Sequence, residues 1–338
     1  MSHAPLFKNK TWILFLPPLA LLVSILVALV SGAGELSLSE AIKGLFSPSA
    51  GTASMIVRGL RLPRIVAGIA VGGGLSLAGV LLQGLFRNPL VEPYTLGISG
   101  GSVLLVALVI TFGLHSLPFS LPLAGFVGAL LVVGLIVLWA RGSRGRDISR
   151  LLLAGVMISF ITSSFVILLL SIGDKESLHA IVFWVMGSLD EPSWGLILFT
   201  LLVSLGGLAF TLINSKALNA LLLGEESARS LGIHVDRKVL QILLAASLIT
   251  GTCVALAGVI GFIGLVVPHF CRLWLGADHQ RLTPASFFCG AAFLIACDTL
   301  ARTFIQPSEL PVGVITGIIG GILFMVALLP RDRQGNRS

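Results

Sequence analysis

An all-α integral membrane protein of about ten transmembrane helices is what this sequence predicts, on three observations. Of 338 residues, 56% are hydrophobic and only 11% are charged, against about 25% charged in an ordinary soluble domain. The mean hydropathy is +1.03. The charges sit in short clusters between long apolar runs, as in loops that join membrane spans. A soluble fold of this length would lack the groups to cover its surface, whereas lipid can face Leu, Ile and Val directly. The net charge of +7 is scattered rather than gathered on one face, so no nucleic-acid partner is expected; the partner for the apolar surface is membrane lipid.

A span needs about 20 apolar residues at about 1.5 Å each. Residues 11–33 give the first. Lys8 and Lys10 precede it, and Val30-Ser-Gly-Ala33 resembles a cleavage site, but the stretch exceeds the roughly 7–15 residues of a signal-peptide core. The second span is 65–86, between Arg64 and Arg87. No Asp, Glu, Lys or Arg occurs over 93–140, and His115-Ser-Leu-Pro-Phe-Ser-Leu-Pro122 breaks that run into a third and a fourth span. The fifth is 151–171 and the sixth 192–213. Residues 239–271 are too long for one span and too short for two; Gly258, Gly261, Gly264 and Pro268 predict one full helix and one short, irregular one. Residues 284–304 and 311–329 complete the ten. The whole chain, 1–338, reads as a single transmembrane domain.

Lysine and arginine set the orientation. With an even number of spans, sixteen of the 22 Lys and Arg residues fall on the side of the termini, most densely over Arg141–Arg150, and Lys43, Arg58, Arg61, Arg64, Lys175 and Arg302 fall on the other. The richer side is cytoplasmic, so both termini are expected inside. Leu77-Ala-Gly-Val80 recurs as Leu256-Ala-Gly-Val259, with Pro89 and Pro268 at the same offset. The copies run in opposite directions, the pattern of an inverted internal repeat. Glycines recur at helix-packing spacing at 68 and 72, 97 and 101, and 313, 317 and 321. Packing inside one bundle and a subunit interface both fit that spacing.

The chemistry is notable for what is missing. There is no GxxxxGK[ST] phosphate loop, no HExxH and no GxSxG, and no span carries two carboxylates at helical spacing. No enzymatic activity or catalytic residue is expected. Asp298 is the one acid well inside a span, four residues from Arg302, so an i,i+4 pair accounts for it. An ion-coupled carrier is disfavoured, because proton or sodium coupling usually needs ionisable groups at mid-membrane. Cys253, Cys271, Cys289 and Cys297 show no CxxC spacing and read as small buried residues. Within the polar segment 214–238, Gly224 breaks the preceding turn, Glu225 and Glu226 suit a helix N-terminus, and Gly232 suits its end. The result is a helix of about two turns exposing Ala228 and Leu231. It fits either a solvated loop helix or a knob for a groove on a cytoplasmic ATPase.

Arg61-Leu-Pro-Arg64, Leu77-Ala-Gly-Val-Leu-Leu-Gln-Gly-Leu-Phe-Arg-Asn-Pro-Leu90, Leu96-Gly-Ile-Ser-Gly-Gly101, Leu223-Gly-Glu225 with Ala228 and Leu231-Gly232, Gly261-Phe-Ile-Gly-Leu-Val-Val-Pro-His269 with Arg272, Asp298 to Arg302 and Glu309-Leu-Pro-Val-Gly313 follow one another along nearly the whole chain. In that order they resemble the FecCD-type permeases, the membrane subunits of ABC importers for ferric siderophores, haem and cobalamin.

The resemblance implies a permease subunit in a bacterial cytoplasmic membrane. It implies a homodimer, or a pair with a related permease, and a cytoplasmic ABC ATPase dimer that binds ATP and Mg. A substrate-binding protein outside the membrane would deliver an iron chelate, with cobalamin or another metal complex as the alternative cargo. No cofactor or metal is expected on this chain, and His269 and Cys271 are expected to be structural. The family's coupling region falls on Gly224, Glu225, Glu226, Ala228, Arg229, Leu231 and Gly232. Its docking arginines fall on Arg61, Arg64 and Arg302, with Arg58 beside them; docking is the favoured reading, and snorkelling or local pairing is the alternative. The family's pathway runs near the fifth and tenth helices. This marks Ser159, Thr162, Ser163 and Ser164 with Thr316, unless those hydroxyls bond back to their own helix.

Overall fold

The structure is a computed structural model that describes residues 11–32, 34, 36–47, 51–117, 119–141, 148–190, 193–305 and 308–328. Among the described residues there are fifteen α-helices and no strand. They are α1 (Leu16–Val30), α2 (Leu38–Phe46), α3 (Thr52–Ile56), α4 (Leu62–Phe86), α5 (Ile98–Thr111), α6 (Ser120–Arg141), α7 (Ile148–Ile172), α8 (Lys175–Met186), α9 (Trp194–Ile213), α10 (Ser215–Leu222), α11 (Glu225–Ser230), α12 (Val235–Ala257), α13 (Ile263–Leu275), α14 (His279–Thr303) and α15 (Val312–Leu328). Seven stretches are long and apolar enough to cross a membrane, and α5, α13 and α15 are shorter apolar helices. These are the ten helices the sequence marks as spans. Lys8, Lys10, the 142–147 part of the basic loop and the basic C-terminus lie outside the described residues.

The second span departs from expectation. It does not begin after Arg64; a continuous helical rod runs from Thr52 to Phe86, with one π-helical turn at Val57–Arg61. Arg58, Arg61 and Arg64 are therefore helical residues rather than loop residues. The short α2, which opens with a capping box between Ser37 and Glu40, covers the start of this rod. The Ser37 hydroxyl and N–H hold the exposed Glu40 carboxyl below the usual carboxylate range. The helix α8 was not foreseen. Asp174 caps it through the Ser177 N–H at 2.7 Å, and it ends at Gly187.

The rod is the centre of the bundle, packed by α9, α12, α13 and α14. Its glycines make this possible. A Cβ at Gly72 would run into the carbonyl of Gly290 on α14, and one at Gly79 into the carbonyl of Gly264 on α13. Without those atoms the backbones touch, gaining dispersion contacts that lipid cannot supply. Polar side chains cross-link the same helix. Ser204 donates to Ala70 O at 2.7 Å, and Gln83 donates to Gly264 O at 3.0 Å while accepting from Arg272 at 3.1 Å. Gly68, Gly97, Gly101 and Gly313 also press on neighbouring elements, whereas Gly317 faces open space. The small-residue pattern thus mostly reports packing inside one bundle.

The repeat is visible in architecture but in a shifted register. Leu77–Val80 lies inside α4, while 256–259 runs off the end of α12, so the two tetrapeptides are not equivalent positions. What recurs is a long buried helix, a non-helical segment, a left-handed residue and a short helix. In α4–α5 that residue is Gly97, at φ 74°; in α12–α13 it is Phe262, at φ 69°. The long helices α4 and α12 run in opposite directions. α4 ends beside α10, and α12 starts just after α11.

Candidate functional site

One end of the bundle carries α10, held against α4 and α14, and α11, held against α10 and α12. Asn219 on α10 bonds Asp278 at 2.8 Å and accepts from the backbone N–H of His279 at 3.0 Å. α11 starts at Gly224, whose φ of 114° suits only glycine, with Glu225 and Glu226 in its first turn. It closes at Gly232 (φ 80°), whose N–H donates to Arg229 O, while Ile233 N–H reaches back to Ala228 O. The boundaries are those the glycines predict. The exposed face is not: Ala228 is fully buried, because it turns toward α10 and α12. The exposed apolar residues are Leu231 and, missed from the sequence, Leu223. Arg229 stands between Glu225 (3.9 Å) and Asp236 (3.7 Å), both loose pairs.

At the opposite end the four expected docking arginines have separate fates. Arg61 is 1% exposed and donates to the carbonyls of Leu29, Val30 and Gly34 at the end of α1. Arg302 is buried and pairs with Asp298 at 3.0 Å. Neither is presented to a partner in this conformation. The physical reason is that each neutralises backbone carbonyls or a carboxylate that burial would otherwise strand. Arg58 is half-buried, with Nε and Nη2 on Leu45 O at 3.1 and 2.8 Å. Arg64 bonds Asp190 and, at 2.8 Å, Glu309; its other nitrogen lies 3.9 Å from Asp298. The local pairing weighed for Asp298 and Arg302 is present and extends to Arg64.

Two cavities flank α8. One, of about 640 Å³, is lined by Trp184, Ser188, Asp190, Ala257 and Gly258 among others. The second, of about 580 Å³, is largely apolar and lined by residues including Tyr94, Ser99, Ser159, Ser163, Met186 and Val259. The predicted hydroxyls divide there. Ser159 and Ser163 line the second cavity. Ser159 donates to Gly155 O and Tyr94 O, at 3.1 and 3.2 Å. Thr162, Ser164 and Thr316 bond back to their own helices at 2.9–3.0 Å, and Thr316 is not among the lining residues. His269 packs edge-on against Phe324, with ring centroids 5.6 Å apart, and Cys271 is buried.

Sequence reasoning missed the non-helical segment between α4 and α5. It treated 93 as the start of a span, yet α5 begins at Ile98. Glu92 in this segment buries its Oε2, and its carboxyl faces the Phe262 N–H where α13 begins. Pro93 rests on Gly264. The signal was present: Pro89, Pro93 and Gly97 within nine residues read as a broken helix. Asp190 and Glu309 were also missed as partners of Arg64, since nothing local joins residues 126 and 245 positions away.

This architecture, ten apolar helices among the described residues with one of them a buried, glycine-rich central rod and irregular segments meeting inside, is that of a membrane-spanning permease. A sequence profile of the FecCD transport family matches residues 20–330, and the chain belongs to that family; it is an ABC importer permease. The chain is 38% identical over 327 residues to the hemin transport system permease protein HmuU of Yersinia pestis, covering 94% of this chain and 96% of that one. It is 37% identical over 323 residues to the vitamin B12 import system permease protein BtuC of Vibrio vulnificus, with 95% and 96% covered. Among solved structures it is similar to the inward-facing form of an ABC transporter assigned to the metal-chelate type. There the TM-score is 0.82 and the identity 32%, over 94% of this chain and 98% of that one.

Proposed function

We propose that this permease imports an iron chelate, a ferric siderophore or haem, delivered by a separate binding protein at the Arg64 end. A second copy of the chain completes the pathway. A separate ATPase dimer, docked on α11, holds the ATP and Mg, and this chain binds no cofactor. On this reading the α11 end, with both termini, faces the cytoplasm. The observation that carries it is α11 itself. Two glycines in left-handed backbone isolate a two-turn helix, and Leu223 and Leu231 project apolar surface from an end rich in charge. Two exposed leucines beside a short charged helix suit the apolar centre and polar rim of a protein contact. The likeness to a hemin permease and to a metal-chelate transporter supports the cargo. The nearly equal likeness to a vitamin B12 permease makes cobalamin the second reading. The second cavity, walled mainly by apolar side chains, suits weak passage of a bulky complex rather than tight capture.

The expected outcome of replacing Leu223 and Leu231 by Asp is loss of ATPase co-purification, at least about tenfold in affinity, with the thermal midpoint of the permease unchanged. Undiminished association would remove α11 as the docking element. Uptake of labelled ferric siderophore, haem and cobalamin into liposomes carrying the full importer then separates the cargoes.

A further inference from the structure

The two cavities are separated by a thin wall, and three charged residues at the Arg64 end fasten it. The wall consists of α8, the 187–190 segment that follows it, and the break at 257–259. Ser188, Asp190, Ala257 and Gly258 line the cavity of about 640 Å³. Met186 and Val259 line that of about 580 Å³. The 187–190 segment is stitched to the break: Ser188 N–H donates to Ala257 O at 3.0 Å, and a Cβ at Gly187 would lie 2.6 Å from Val259 O. A second segment, 309–313, closes on the same carbonyl, where a Cβ at Gly313 would lie 2.9 Å from Val259 O. Each segment carries one carboxylate, Asp190 or Glu309, and both carboxylates sit on Arg64.

Arg64 stands on the central rod, the most buried of the long apolar helices, and its side chain is 11% exposed. Its partners are unlike one another. Asp298 is 8% exposed and held by Arg302 at 3.0 Å in a buried i,i+4 pair. Asp190 and Glu309 are 49% and 41% exposed, so water can take over either one at little cost. Arg64 already faces three carboxylates, Asp190, Glu309 and, at 3.9 Å, Asp298. An arriving carboxylate therefore displaces one already there rather than filling a vacant place.

We propose that Arg64, Asp190 and Glu309 form an exchangeable clamp on the wall between the cavities, released when carboxylates of a docking protein take Arg64. This rests on delivery by a binding protein at this end. Asp190 and Glu309 are positioning residues: they do not touch cargo. When they leave Arg64, the 187–190 and 309–313 segments lose their tie to the rod, and the break they hold at Val259 is free to shift. The two cavities can then join.

The test uses the complete importer with its ATPase and binding protein in lipid nanodiscs. It compares the native chain with the pair Asp190→Asn and Glu309→Gln, and with Glu309→Gln alone. The measurements are ATP hydrolysis with and without binding protein, and binding-protein affinity. In the double variant basal hydrolysis is expected to rise about fivefold, docking to tighten, and added binding protein to stimulate less than about twofold. The single variant, which keeps Asp190 on Arg64, is expected to show about half the rise. A purely structural role would lower thermal stability and leave the stimulation ratio at the native value; that outcome overturns the clamp. If even the native importer shows no hydrolysis that depends on binding protein, the delivery reading fails instead.

Discussion

The helices α4 and α7 have the same length, 25 residues, and nearly the same hydropathy, 2.2 and 2.4 over their membrane windows. Their fates are opposite: 89% of the α4 window is buried, against 17% of the α7 window. Hydropathy says that each can cross the bilayer and nothing about which is inside, because lipid is as apolar as a protein core. Side-chain size separates them. Gly72 and Gly79 let neighbouring backbones close on α4, and Gly68, Gly73, Gly74 and Gly84 make room for side chains of the surrounding helices. The surface of α7 is Leu153, Met157, Phe160, Ile161, Phe165, Ile167 and Leu168, large side chains suited to lipid or to a second subunit.

The contrast is broken most directly by enlarging a glycine. Gly79→Leu puts a side chain where Gly264 O already lies and is expected to destabilise the bundle by about 3 kcal/mol or more, seen as loss of monodisperse protein after extraction. Gly317→Leu on α15, which meets nothing within 4 Å, is expected to stay within about 0.5 kcal/mol. Equal effects would mean that packing does not rank these helices. A smaller step is truncation. Leu81→Ala, at a fully buried site on α4, leaves a cavity costing about 2 kcal/mol. Phe160→Ala, at a site 66% exposed on α7, is expected to leave monomer stability intact and weaken only association of two copies, read by chemical cross-linking in liposomes. The smallest expected difference concerns two arginines. Arg61→Gln removes charged donors from three carbonyls and is expected to lower stability by about 2 kcal/mol, whatever the salt concentration. Arg58→Gln, half-buried on one carbonyl, is expected to cost less than about 1 kcal/mol.

What was legible from residues followed from local chemistry. Gly224 and Gly232 bound α11 because a left-handed backbone favours glycine at both ends. The run 239–271 resolved into a long and a short helix because Gly258 and Gly261 fall in the break between them, whereas Pro268 is accommodated inside the short helix. The site was less legible wherever a partner came from far along the chain. Arg61 looks like an exposed basic residue in sequence and is a buried clasp on the end of α1. Ala228 was assigned to the exposed face of α11, yet that face is set by α10 and α12. Leu223, one residue before the helix-breaking glycine, looked like the tail of an apolar turn and is 70% exposed.

The sequence by itself determined the solvent, the number of apolar helices that read as spans and the ends of α11, because these depend on transfer of each segment into lipid and on backbone preferences within a few residues. Only the tertiary structure decided which helix stands at the centre, which hydroxyls reach a cavity, and which carboxylates hold Arg64. Those outcomes depend on side chains from distant segments meeting at van der Waals and hydrogen-bond range, and no local pattern in the chain encodes that meeting.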